Sequence, residues 1–429
     1  MISPYPPEIN GVGEYSELCV NEMLSLDHQL VIHVIANHST VAKADPPNGQ
    51  SRVFVHRIWR SSRLSSPIKA FLKILQIRPH IVHLHYGLAA DYGGIIGEPL
   101  LPLLALLNLA GFPVVTTLHS VWNSHDLRQR VIERGHRAIL AFIIQSYVSF
   151  LTRALLRFSS IVIMPVLETQ TGLLDSFAKS SSLPKAKLVE TYHGCPQTKM
   201  YGVTSAAPRA TLAKSRTILF FGFIRRNKGV HDALEAFRLL VSAGSDADLR
   251  MVIAGPAATK EDRAYVLELL RLASKLDISN RVFFRVGFFS REEIGQFFQD
   301  AGLLVLPYLR RVGPSGPLCL AASFGLPVIA TRDDKYLKSD LGGFVRLIDV
   351  SDVSNLQRAM AETILRAPMT KYMSDRAHDY AEEHPLRLSA LVVLEEYSKL
   401  LKQIGKRGSY PRNNSKSSNK DAFVSVFAS

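Results

Sequence analysis

Short apolar runs rich in Val, Ile, Leu and Phe alternate with helix-length segments along almost the whole chain. Residues 29–36, 81–84, 113–118, 160–166, 217–221, 250–253, 282–286, 303–307 and 328–331 form such runs, without internal alternation of polar and apolar positions. A strand that is apolar on both faces is covered on both faces, so these runs predict buried parallel strands flanked by helices. A shorter strand, 187–190, precedes His193. In 138–158 the polar residues Gln145, Ser146, Ser149, Thr152 and Arg153 recur three or four apart, the stripe of an amphipathic helix. Residues 231–240 and 318–324 read as further helices. The order predicts an α/β protein with parallel sheets.

The pattern lapses twice. Near 196–215 it gives way to Gly, Ser, Ala, Pro and Lys, which predicts an interdomain linker between a domain at 1–205 and a second at 213–385. From 406 to 429 the chain is rich in Lys, Arg, Ser and Asn, a composition that predicts a disordered basic tail. Two doubly wound domains facing each other would place a cleft between the carboxyl ends of their sheets. Met1-Ile-Ser leaves little room for a first strand before the proline-rich turn, so a shortened first strand or a late start is expected. Residues 1–7 lack the basic and apolar regions of a signal peptide.

Composition narrows the class. The chain has 429 residues, 47% hydrophobic and 21% charged, enough apolar material for two or three buried cores. Cys19, Cys195 and Cys319 are far apart and odd in number, which argues against a disulfide framework or a zinc site and fits a reducing compartment. A net charge of +14 points to anionic partners. No helix-turn-helix, zinc-finger or RNP pattern is present, so nucleic acid is not expected. Residues 95–110 are interrupted by Glu98, Pro99, Pro102 and Asn108, and 138–158 by its polar stripe, so neither is expected to span a membrane. The second run reads either as a core helix or as monotopic membrane contact.

Four places carry candidate chemistry. Asn10-Gly11-Val12-Gly13-Glu14 opens a helix after the first strand, where glycines and helix N–H groups favour an anion; a tight strand-to-helix turn would use the same residues. Gly222-Phe223-Ile224-Arg225-Arg226-Asn227-Lys228-Gly229 places cations in the loop after a parallel strand, where open α/β sheets bind ligands. Arg225 offers a two-pronged donor to phosphate and Lys228 a point charge. Ser315 and Gly316 stand at the start of the helix after 303–307, as an anion site or a capping turn. His119 ends the strand 113–118 at a sheet's carboxyl edge and is assigned a place in the cleft. His83 alternates into a strand face and is expected to be packed. No cluster of acids or histidines suggests a metal site, and none is expected.

These sites, in this order, resemble the retaining glycosyltransferases of family 4, which have the GT-B fold of two Rossmann-like doubly wound domains with a cleft between them. The resemblance covers about residues 2–401. It rests on Pro6-Pro7…Asn10-Gly11-Val12-Gly13, on Phe221-Gly222…Arg225…Lys228-Gly229, and on Ser315-Gly316-Pro317-Leu318 with Phe324-Gly325-Leu326-Pro327 to Thr331. Val252-Ile-Ala-Gly-Pro256 and Asp300-Ala-Gly to Pro307 add to it. It implies that Arg225 and Lys228 hold a donor diphosphate, with Gly222, Ser315 and Gly316 adding contacts. Gly11 and Gly13 would approach from the first domain, Gly287 and Phe288 would lie against the base, and His119 would line the acceptor side. A final helix, 386–404, would complete the first domain.

The chain departs from the family twice. Phe223 replaces an Arg that many members carry, and its task passes to Arg225. Val312 and Leu320 stand where the family's Glu pair is usual.

The activity implied is a metal-independent retaining hexosyl transfer, of the kind used in polysaccharide biosynthesis. The donor would be a UDP- or GDP-sugar, the acceptor a glycan or lipid-linked sugar, and no further cofactor is implied. The expected setting is cytoplasmic and peripheral, with an anionic membrane surface as a partner. Two rivals stay open, a GT-B-like binding subunit without catalysis and a sugar-nucleotide epimerase.

Overall fold

The computed structural model describes residues 1–8, 10–38, 52–60, 63, 65–87, 100–119, 138–167, 187–203, 215–244, 248–310, 313–333 and 337–406. The expected tail beyond 406 and Val312 lie outside these. The chain divides into two compact units, Met1–Thr191 with Arg387–Ser429, and Tyr192–Leu386. The division falls ahead of the expected linker. Its cause is local: Cys195 N–H donates to the His384 carbonyl, Leu386 N–H donates back to Cys195, and the turn at Thr198–Tyr201 lies against Gly295.

The first unit begins with three residues that act as a central strand. Ile2 bridges Ile35 on one side and Leu84 on the other. It thereby joins β1 (Ile32–Asn37) and β2 (Val53–Trp59) to β3 (Val82–Tyr86), β4 (Val114–Leu118), β5 (Ile161–Val166) and β6 (Leu188–Tyr192). The short strand expected at the start is therefore present, its pairing spanning both neighbours. Helix α1 (Gly11–Leu26) covers one face of this sheet. Helices α2 (Ser65–Ile77), α3 (Leu100–Leu109) and α4 (Ala138–Phe158) cover the other, through Ala70, Ile74, Leu103, Leu107, Leu155 and Leu156.

Helix α4 has the bounds the polar stripe predicts. It is nevertheless long and apolar enough, over Ile139–Phe158, to cross a membrane by length and composition alone, against the expectation that its polar residues break it. Its packing gives it another place. Val148, Leu151, Leu155 and Leu156 are buried in the unit, which makes it one member of a helical layer.

His83 is packed in the sheet as expected, with Nδ1 2.5 Å from Tyr397 Oη and Nε2 2.7 Å from Thr117 Oγ1. Burial holds the His83 imidazole down to about 3 and His85 well below the usual histidine range. In the unfolded chain both take a proton near the ordinary value of 6.5. The unfolded state therefore binds more protons as pH falls below 6.5, and the first unit loses stability progressively toward pH 3. At pH 5 the expected loss from His83 is on the order of 2 kcal/mol, and His85 adds to it in the same direction. Denaturant midpoints at pH 7 and pH 5 measure it; equal midpoints would contradict the neutral, buried pair.

The second unit is a six-stranded, fully parallel sheet in the order β12-β11-β10-β7-β8-β9. Its strands are β7 (Thr217–Phe221), β8 (Arg250–Gly255), β9 (Val282–Val286), β10 (Leu303–Leu306), β11 (Val328–Thr331) and β12 (Val345–Ile348). The helices are α5 (Val230–Ser242), α6 (Lys260–Lys275), α7 (Arg291–Asp300), α8 (Gly316–Ser323), α9 (Val353–Ile364) and α10 (Ala367–Glu383). Helix α5 buries Val230, Ala233, Leu234, Phe237 and Leu240, a stripe at helical spacing. Capping boxes start α6 at Thr259 and α7 at Ser290. Helix α11 (Leu386–Lys406) then returns to the first unit, where Ala390, Val393, Leu394 and Tyr397 enter the core beside α1. Strands β2 and β12, absent from the sequence reading, are both edge strands, whose half-covered faces admit polar residues such as Arg57 and Arg346.

Candidate functional site

Strand order locates the site in the second unit. From β7 the chain winds outward through β8 to β9, then returns to the other side of β7 and winds through β10, β11 and β12. The reversal leaves a crevice between the loops that follow β7 and β10, the place where doubly wound sheets bind ligands. Gly222, Arg225 and Lys228 come from the first loop, Ser315 and Gly316 from the second.

Close backbone packing shapes these loops. Gly222 N–H donates to Ala254 O at 3.0 Å, Ile224 N–H to Pro256 O at 2.9 Å, and Leu309 N–H to Asn227 O at 3.0 Å. Gly229 has φ +66°, and a Cβ there would sit 1.9 Å from the Pro307 carbonyl. The loop after β7 is thus fastened to both neighbouring strands. The Lys228 ammonium lies 3.6 Å from the centre of the Tyr308 ring, a cation–π contact at the crevice.

Arg225 is held differently. Its Nε lies 3.2 Å from Asp262 Oδ2 and its guanidinium 4.6 Å from the Phe223 ring centre. Phe223, the residue that departs from the family pattern, therefore serves as a shelf for Arg225. Among the described residues nothing takes the two Nη groups, which are the pair that can grip phosphate oxygens. Arg226 turns to Glu268 and to the Tyr265 ring, away from such a role.

Ser315 is the N-cap of α8, yet its hydroxyl makes no capping bond. Its Oγ is buried, with the residue 5% exposed, and has no hydrogen-bond partner among the described residues. Pro317 supplies no N–H, and Leu318 and Cys319 N–H both go to the Ser315 carbonyl, so Gly316 carries the forward-facing N–H of the helix start. The helix begins two residues before the predicted 318. Pro317 Cγ and Tyr308 Oη both stand within about 4 Å of the Cβ position at Gly222, which brings the two loops together.

Two neighbours of this site, Tyr308 and Asp262, were not singled out from sequence; His193 was noted there only as the histidine that follows the strand 187–190. His193 Nε2 lies 3.8 Å from the Cβ position at Gly316, and enclosure of the ring holds its imidazole down to about 4. It is a neutral ring at neutral pH. The signal that marked His119, a histidine just past a strand's carboxyl end, marks His193 too. Leu320, where the resembled pattern has an acid, is 5% exposed on α8 and belongs to the apolar packing.

Gly287 and Phe288 follow β9, two strands from β7. Gly287 N–H donates to Gly255 O at 3.1 Å, which places Phe288 at the same carboxyl edge with its ring half exposed.

Gly11, Gly13 and His119 belong to the first unit. Asn10 caps α1, its Oδ1 accepting from Val12 N–H at 2.8 Å. A Cβ at Gly13 would lie 3.1 Å from the Pro4 carbonyl, so this glycine permits the close turn; at Gly11 nothing lies within 4 Å. His119 ends β4, with Nε2 3.0 Å from His85 Nδ1 and its ring edge-on to Tyr15 at 5.0 Å. The arrangement puts His119 and the start of α1 at one edge of the sheet. Among the described residues no group of three His, Cys, Asp or Glu side chains is placed to hold a metal ion.

The sequence matches the family of glycosyl transferases group 1 over residues 206–380, which spans the second unit's sheet. A search of curated proteins by sequence finds no match. Solved structures resemble the chain over nearly its full length. Sucrose-phosphate synthase from Thermosynechococcus elongatus is 14% identical, with a TM-score of 0.68 over 94% of this chain and 96% of its own. Anabaena HepE in complex with UDP-glucose is 15% identical, with a TM-score of 0.64 over 94% and 98%. An α,α-trehalose-phosphate synthase (UDP-forming) from Burkholderia xenovorans, in complex with glucose-6-phosphate, is 11% identical, with a TM-score of 0.67 over 92% and 98%. These likenesses establish the fold as the two-unit, Rossmann-like GT-B architecture.

Proposed function

We propose that the chain is a retaining glycosyltransferase that moves a hexosyl group from a UDP- or GDP-sugar to a glycan or lipid-linked acceptor without a metal. The observation that carries the reading is the Ser315 hydroxyl. It is buried, has no hydrogen-bond partner among the described residues, and stands at a helix start across the switch-point crevice from the loop that carries Lys228. A buried hydroxyl without a partner costs roughly 1–3 kcal/mol. Such a cost persists where a ligand supplies the missing bond. The surrounding chemistry is that of a diphosphate: a lysine ammonium, the Nη pair of Arg225 and the Gly316 N–H. Residues 206–380, which match glycosyl transferases group 1, contain all four groups, and HepE, with a similar fold, binds UDP-glucose.

The chemistry follows from charge. As the glycosidic bond breaks, negative charge grows on the departing diphosphate, and fixed cations and N–H dipoles stabilise it. The acceptor hydroxyl attacks the face from which the diphosphate leaves, and its proton passes to that leaving group. The anomeric configuration is retained and no protein nucleophile is needed.

Incubation with a panel of UDP- and GDP-sugars, with and without glycan or lipid-linked acceptors, is expected to release nucleoside diphosphate. No release with any donor, together with no thermal shift from UDP or GDP, overturns the reading. Leu320 favours a second reading, a binding subunit, because a buried Leu replaces a family acid. A thermal shift without turnover is its signature. Ser315→Ala separates function from stability: it is expected to weaken UDP or GDP binding about tenfold or more while leaving the unliganded melting temperature unchanged or raised.

A further inference from the structure

We infer that the helical layer of α2, α3 and α4 on the first unit is a docking surface for an anionic lipid bilayer. The inference stands apart from the proposed transfer reaction. Helix α4 buries one side and presents the other: Ile139 is 70% exposed, Phe142 57% and Phe150 60%. Helix α2, which packs on α3 as α3 packs on α4, adds exposed Ile68 and Leu72. A soluble monomer rarely leaves so many large apolar groups together on one layer.

Charge identifies the occupant. The three helices, of 13, 10 and 21 residues, contain Lys69, Lys73, Arg153 and Arg157 and no Asp or Glu. Helix α1 on the opposite face carries Glu14, Glu17 and Glu22. A two-fold contact between copies of this layer would oppose cation to cation with no anion to balance them. An anionic bilayer satisfies both features: apolar side chains enter the headgroup boundary, and the cations stay at the phosphate level. Because α4 keeps its other side in the core, the helix would lie in the interface plane and not across it.

Sedimentation with vesicles tests the surface. The full chain is mixed at low salt with phosphatidylcholine vesicles, and with vesicles carrying one-third phosphatidylglycerol. Binding is expected to the anionic vesicles, and to fall as salt rises. Phe142→Ser with Phe150→Ser is expected to lower partitioning about tenfold or more. Both residues are exposed, so an unchanged melting temperature verifies the fold. Arg153→Gln with Arg157→Gln, which spares the apolar groups, is expected to erase the preference for anionic vesicles. Absence of binding at low salt, or binding unaffected by either double variant, overturns the inference. A dimer in sedimentation equilibrium that the Phe142/Phe150 variant dissolves, without vesicle binding by the parent chain, overturns it in favour of a second copy.

Discussion

Replacing Lys228 by Ala is expected to lower kcat/KM for the sugar donor about 10²–10³-fold, which corresponds to roughly 3–4 kcal/mol of lost transition-state stabilisation. The size follows from how rigidly the ammonium is held. Gly229 in the left-handed region turns the chain, the Asn227–Leu309 bond ties the loop to the strand on the other side of the crevice, and Tyr308 supports the charge from below. A charge fixed before the reaction needs no reorganisation as the leaving group becomes anionic. Lys228→Met, which keeps the length and apolar stem, should be nearly as damaging. Arg225→Ala should cost less, because its Nε is already committed to Asp262 and its side chain is 39% exposed, where solvent screens it. Steady-state release of nucleoside diphosphate, with UDP or GDP titrated separately, gives both quantities. A change smaller than tenfold for Lys228→Ala would remove Lys228 from the diphosphate site.

Gly255→Ala is expected to be the most destabilising single substitution in the second unit, at about 3–5 kcal/mol. Gly255 has φ +146°, a conformation that L side chains rarely adopt, and a Cβ would stand 1.9 Å from the Gly222 carbonyl oxygen and 2.7 Å from its carbon. Both atoms are backbone in the loop that carries Arg225 and Lys228, so relief of the clash must move the site itself. A melting temperature lower by roughly 10 °C is expected for a unit of this size, with donor binding lost in the surviving folded fraction. Gly11→Ala provides the contrast. It adds a methyl group at an open helical position, and its stability should match or slightly exceed that of the parent. Equal melting temperatures for the Gly255 and Gly11 variants would mean that the loops are not in the close register described.

What could be read in advance was what the chain encodes locally. Residues 217–221, 303–307 and 328–331 were legible as strands because a strand covered on both faces has few polar positions to blur it. Lys228 and Ser315 were legible because each occupies a fixed offset from an element boundary, one past a strand and one before a helix. The supports of those residues were not. Tyr308 lies 80 positions from Lys228 and Asp262 lies 37 from Arg225. Nothing in spacing pairs them; the strand order does, and strand order is set by packing between distant segments. Phe223 shows the same limit from another side. As a departure from the family pattern it looked like a loss, and only its ring beneath the Arg225 guanidinium gives it a task. Leu320 shows the reverse, since a buried apolar side chain there offers no acid to a ligand. Helix α4 was read correctly in extent, while its exposed apolar side depends on which neighbours cover it.

The return of α11 to the first unit has a consequence for biosynthesis. The second unit is one uninterrupted segment, complete once residue 386 has left the ribosome. The first unit is made of the two ends of the chain, and its sheet core awaits Ala390, Val393, Leu394 and Tyr397, the last of these bonded to His83 across 314 positions. During synthesis the later-made unit therefore folds first, and the earlier-made one stays open, with β1 and α1 lacking their cover, until α11 has emerged. A premature stop just after residue 386 yields a closed second unit attached to an apolar sheet that cannot close. Such a product is a natural target for chaperones and proteases, even though it contains every residue of the proposed diphosphate site.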